Sequence, residues 1–201
     1  MKIKGRKNTG FTIIELLIAL TLSLVVLTSV SGAFISQRKT YDAQEQMTEI
    51  IQGTRAVMEV ITREVKLAGF NPTGSTTLVG IPYSTTQLEI RADLDGDGTA
   101  IASDTNEQII YTHDGANLEI DRDAGQAFSY AKLLAENIES FAFDYLDADG
   151  IATTTAADIR MVEITITART AKPDPNYGQN SGYRTYTLTS MVSPPNLAIN
   201  L

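Results

Sequence analysis

The sequence predicts an α+β fold, a long N-terminal α-helix packed on an antiparallel β-sheet domain. Three stretches with different hydrophobic spacing point to it. From Phe11 to about Ile35 the chain is almost uninterruptedly apolar. From Ser36 to Ala68 apolar residues recur every three or four positions, the spacing of one helical face. From Thr76 onward the period becomes two, broken repeatedly by Gly, Pro, Asn and Asp, as in strands joined by turns.

The first apolar run is long enough for a helix rising about 1.5 Å per residue to cross the roughly 30 Å hydrocarbon layer of a bilayer. Glu15 is its single charge. Lys2, Lys4, Arg6 and Lys7 precede it with no acid among them, so the positive-inside rule places the N-terminus in the cytoplasm and the C-terminal domain in the periplasm. A cleaved secretory signal would have an apolar region of about 7 to 15 residues ending in a small-residue site. Here the run is longer, and Gly10 lies before it. A carboxylate in a lipid-facing helix costs about 2.5 to 3.5 kcal/mol on insertion scales, so Glu15 needs a partner or access to the aqueous interface.

Beyond the run, Tyr41, Met47, Ile50, Ile51, Val57, Met58, Ile61, Val65 and Ala68 form an apolar stripe. Arg38, Asp42, Glu45, Glu49, Arg55, Glu59, Arg63 and Lys66 take the other face. Gly69 and then Asn71-Pro72 close the pattern, as a C-terminal Gly followed by Pro should. One helix from Phe11 to Ala68 is therefore expected, its stripe forming a seam for the sheet. Gly32 and Gly53 are weak points, each costing up to about 1 kcal/mol against Ala.

Strands are expected at 87–91, 108–112, 117–121, 140–146, 160–170 and 184–192. The clearest is the fifth, where Val162, Ile164, Ile166 and Ala168 alternate with Glu163, Thr165, Thr167 and Arg169. His113-Asp114-Gly115-Ala116 reads as a hairpin turn. The segment from Pro173 to Gly182 reads as a mobile loop between the last two strands.

The pattern Lys7-Asn8-Thr9-Gly10-Phe11-Thr12-Ile13-Ile14-Glu15-Leu16 closely resembles the prepilin signal of type IV pilins and type II secretion pseudopilins. The resemblance implies a pilin-like fold, cleavage by a prepilin peptidase between Gly10 and Phe11, and N-methylation of Phe11. It also implies that the amino terminus of one subunit pairs with Glu15 of a neighbour on assembly, so Phe11 and Glu15 are the expected assembly residues. Its domain plan is a leader (1–10), a transmembrane and filament-core helix (11–35), an amphipathic continuation (36–69) and a sheet domain (70–201). Arg63-Glu64-Val65-Lys66-Leu67-Ala68-Gly69-Phe70 and the segment from Ile138 to Gly150 are similar to PilW-type minor pilins and to J-type pseudopilins.

The formal charge of −8 includes the four leader cations, so a chain without them carries −12. That acidity argues against nucleic acid and against polybasic lipid binding. The chain has no Cys and one His, which leaves a disulfide impossible and a transition-metal site without support. Asp93, Asp95, Asp97 and Asp104 fall at positions 1, 3, 5 and 12 of a loop with Gly98 at position 6 and the Thr99 carbonyl at position 7, the ligand spacing of a calcium loop. Asp at position 12 and a strand leading in depart from that pattern. The alternative is an Asp/Gly-rich turn between strands, and calcium is preferred because even a weak site fills at extracellular concentrations. Asp144, Asp147, Asp149 and Gly150 lack this register and read as a plain turn. No nucleophile with a base and no phosphate-binding glycine loop occurs, so no enzyme is expected.

The resulting expectation is a minor type IV pilin that primes a pilus or sits at its tip, anchored in the inner membrane before assembly. Its partners would be prepilin peptidase and other minor and major pilins. The J-type pseudopilin of a type II secretion system is the alternative, and a surface-exposed adhesive subunit is a further one.

Overall fold

The computed structural model describes residues 10–124 and 132–199. It divides into two compact units, residues 1–45 and 46–201. The basic residues Lys2, Lys4, Arg6 and Lys7, expected as a leader, lie outside the described residues. The α+β architecture expected from the sequence, a long N-terminal helix followed by antiparallel strands, is the one observed.

Helix α1 runs Ile13–Val65 and is followed by a tight turn, in which Leu67, Ala68 and Phe70 each donate to the carbonyl three residues earlier. The helix is thus shorter at both ends than the expected span. Gly69 ends it with φ +75°, a conformation glycine adopts without strain. In the second unit Val57, Met58, Ile61, Val65 and Ala68 are buried, as the stripe predicts. Burial starts only at Thr54, however, and Tyr41 in the first unit is exposed.

Strands β1 (Gln87–Arg91), β2 (Gln108–Asp114), β3 (Glu119–Asp123) and β4 (Lys132–Ala135) form one antiparallel sheet. A second sheet contains β5 (Ile138–Leu146), β6 (Met161–Arg169) and β7 (Thr185–Val192). No sequence expectation corresponds to β4: its four residues, Lys-Leu-Leu-Ala, are too short to show a period, and its first two, Lys132 and Leu133, are exposed. In β6 the expected alternation holds at every position. Its outward threonines pair across the ladder with β7, Thr165 with Thr189 and Thr167 with Thr187, each at 3.0 Å. Both sheets and α1 close on one core, with Ile61 and Val65 from the helix, Leu88, Ile109, Tyr111 and Ile120 from the first sheet and Val162, Ile164 and Ile166 from the second.

A polar staple crosses that core. Glu64 on α1 is only 8 % exposed. It accepts from Arg122 Nε (3.0 Å) and Nη2 (2.8 Å) on β3 and from the Tyr111 hydroxyl on β2. Burial and the Glu64 carboxylate push the Tyr111 hydroxyl far above its ordinary range, while the bond to Glu64 raises Arg122 further.

Two local expectations are corrected. His113 belongs to β2, not to a turn, and its Nε2 donates to the Ile138 carbonyl (3.0 Å). The turn comes later, with Asp114 Oδ1 accepting from the backbone of Ala116 (2.9 Å) and Asn117 (3.3 Å), bonds that hold the Asp114 carboxyl below its ordinary pKa. The loop from Pro173 to Gly182 is tied down: Arg184 pairs with Asp174 (2.9 Å), lies over the Tyr177 ring, and Asp174 N donates to Gly182 O (2.7 Å). Its Pro, Gly and Asn content sets the turns, and the cross-links come from Arg184, just ahead of β7, and from the loop's own backbone.

Candidate functional sites

The first candidate is the start of α1, within the first unit. Thr12 is its N-cap: Thr12 Oγ1 accepts from the Glu15 backbone N–H (3.2 Å), and Glu15 Oε2 accepts from the Thr12 N–H (3.5 Å). This reciprocal arrangement is a capping box, and its sequence signature, Thr-x-x-Glu ahead of an apolar run, stands at residues 12–15. Thr12 is thus a residue that the sequence reading passed over although its signal was there. Glu15 stays exposed, and Phe11 beside the cap is 84 % exposed. Gly10 has open space around it.

Along the following turns Ile13, Ile14, Leu16, Leu17, Ile18 and Leu20 are all exposed. The hydroxyls of Thr21, Ser23, Thr28 and Ser29 donate to carbonyls of the preceding turn at 2.8–2.9 Å. Their donors are satisfied inside the helix, which makes them compatible with an apolar surrounding. Helix α1 is long and apolar enough to cross a membrane.

The second candidate is the acidic loop, within the second unit. Asp93 follows β1 and is fully buried. Its Oδ1 accepts from Gly96 N (2.7 Å), and its Oδ2 accepts from Gly98 N (3.0 Å) and the Thr73 hydroxyl (3.1 Å). Gly96 and Gly98 have φ of +82° and +88°, which curls the loop back on Asp93. Asp95, Asp93 and Glu107 each offer a carboxylate oxygen, and these oxygens lie within 4.8 Å of one another. Glu107, one residue ahead of β2, is only 2 % exposed. Its Oε1 accepts from the backbone of Leu94 (2.7 Å) and Asp95 (2.9 Å), while its Oε2 is buried with no hydrogen-bond partner among the described residues.

The loop therefore gathers Asp93 and Asp95 of the expected set with Glu107. Asp97 is exposed and accepts from the Thr99 N–H (2.7 Å) and hydroxyl (2.8 Å). Asp104 stands outside the group, with Oδ2 buried and without a hydrogen-bond partner among the described residues. Glu107 lies three residues past the last position of the spacing rule, so no local pattern identifies it. Pairing of β1 with β2 brings it back to the loop, where Ala92 N donates to Glu107 O (2.9 Å).

Residues 5–31, spanning the Gly10-Phe11 junction and Glu15, match the model of the prokaryotic N-terminal methylation motif. The chain carries that motif. The type IV pilin-like reading of this N-terminus is thereby supported, and the match to the methylation motif ends before the regions that resemble PilW-type subunits. Among solved structures the chain is similar to a type IV-like pilin from Thermus thermophilus, with 12 % identity and a TM-score of 0.47. That likeness covers 74 % of this chain and 98 % of the other. No curated protein matches the chain.

Proposed function

We propose that this chain is a minor type IV pilin, a structural subunit and not an enzyme. It would be cut between Gly10 and Phe11 by prepilin peptidase, N-methylated on Phe11 and held in the inner membrane until it joins a filament. The observation that carries this reading is the methylation motif laid over an exposed apolar helix start with one acid, Glu15. An apolar helix without internal partners is stable in lipid or among other helices, and both environments penalise a lone carboxylate. Pairing of Glu15 with the amino terminus of a neighbouring subunit removes that penalty. The capping box is the local alternative for Glu15, and the two are separable by substitution. A role in priming or at the tip, the J-type pseudopilin alternative and an adhesive role share this N-terminal chemistry.

The test uses cells carrying the native assembly genes. Mass spectrometry of the membrane-extracted chain should show a methylated Phe11 terminus. Glu15→Ala and Glu15→Leu should leave processing intact, lower filament number steeply and remove this subunit from sheared filaments. Normal filaments, with the wild-type subunit never among them, would sink the pilus reading; a loss of protein secretion in the same cells would point to the pseudopilin.

A further inference from the structure

We propose that Asp93, Asp95 and Glu107 form a calcium site, with Glu107 in the place that the loop spacing assigns to Asp104. Two of the three carboxylates, Asp93 and Glu107, are almost wholly removed from solvent. Oxygens of all three converge within 4.8 Å, and among the described residues no Arg or Lys forms an ion pair with any of them. Carboxylates brought this close repel one another, and a cation among them offsets that repulsion. Independently of the cluster, Glu107 leaves Oε2 buried without a donor among the described residues, an atom whose desolvation none of them offsets.

The ion's identity follows from the donors. All are oxygens, which excludes the thiolate and imidazole chemistry of zinc and copper sites. Three carboxylate oxygens within 4.8 Å of one another are close enough to ligate one ion together. Calcium tolerates irregular coordination by carboxylates on a loop, whereas magnesium, with bonds of about 2.0–2.1 Å, demands a near-ideal octahedron and keeps several waters, so calcium is the ion proposed. The loop's backbone amides are already committed to Asp93, Asp95 and Glu107, so the cation meets carboxylates whose positions are set before it arrives.

The test is calorimetric titration of calcium chloride, and separately magnesium chloride, into the full chain in detergent after washing with a chelator. Saturable calcium binding is expected in the range up to about 10 mM, with a rise in melting temperature, and magnesium binding at least about tenfold weaker. Glu107→Gln and Asp95→Asn should each weaken calcium binding at least about tenfold, while Asp97→Asn stays within about twofold. Asp95 is exposed, so its variant decides the matter if Glu107→Gln fails to fold. Absence of saturable binding, or binding that Asp95→Asn leaves unchanged, overturns the site. Because the readout is ion binding and not filament assembly, its failure is distinct from failure of the pilin reading.

Discussion

Gly80 has no room for a side chain. A Cβ there would lie 2.4 Å from the Gly69 backbone nitrogen and 2.8 Å from Leu197 Cδ2. Gly69 N donates to Arg91 O (2.9 Å) and Arg91 N donates to Gly80 O (2.8 Å), so the backbone at the helix end has little freedom to move away. Gly80→Ala should therefore lower stability by about 1–3 kcal/mol, read as a shift in the urea midpoint of the chain in detergent. In the sequence Gly80 is one glycine in a loop, and its constraint comes from residues far away along the chain. Thr12 is the opposite case, legible from a four-residue spacing. Thr12→Ala should weaken the helix start by about 1 kcal/mol, seen as faster hydrogen exchange at the first amides of α1 and unchanged exchange in the sheets.

Helix α1, β2 and β3 are joined by Glu64, Tyr111 and Arg122 as well as by apolar contact. Arg122→Ala leaves a mostly buried carboxylate with the tyrosine hydroxyl as its remaining side-chain partner, and should cost about 3 kcal/mol. Replacing both charges, as in Glu64→Leu with Arg122→Met, should recover much of that loss, because neither ion is then stranded. A double change as harmful as Arg122→Ala would show that the residues matter for shape and not for charge compensation. The helix stripe and the β6 alternation were legible because each is a period within one element. Glu64 was not: a charged residue beside the stripe reads as a solvated one until β2 and β3 supply its partners.

Across the whole protein, the two units rest on different physics. The described part of the first, residues 10–45, has no buried apolar side chain, whereas the second encloses the core. Heating in detergent should accordingly abolish the near-ultraviolet tyrosine dichroism of the second unit while much helical signal persists, since micelles shelter an apolar helix. A single transition common to both signals would contradict this independence. Alkaline pH tests the core in another way. Burial keeps the Tyr111 and Tyr145 hydroxyls protonated beyond the ordinary value of 10.0, Tyr145 up to about 12. The unfolded chain gives up those protons first, so their contribution is whole below pH 10 and is lost as pH rises above it. Urea midpoints should fall above that pH, less steeply in Tyr111→Phe than in the parent chain.

The sequence by itself determined the helix and its apolar run, five of the seven strands nearly as observed, and the N-terminal methylation motif with its acid at Glu15. Of the remaining two strands, one, β3, was displaced by two residues and the other, β4, was missed. The features found are written in neighbouring residues, as periods, caps and short spacings whose physics acts within a few residues. Only the tertiary structure decided the division of the strands into two sheets, the buried partners of Glu64, the close approach at Gly80 and the meeting of Glu107 with Asp93 and Asp95. Each depends on which distant segments share a core, and that is set by the summed burial of all of them, not by any local pattern.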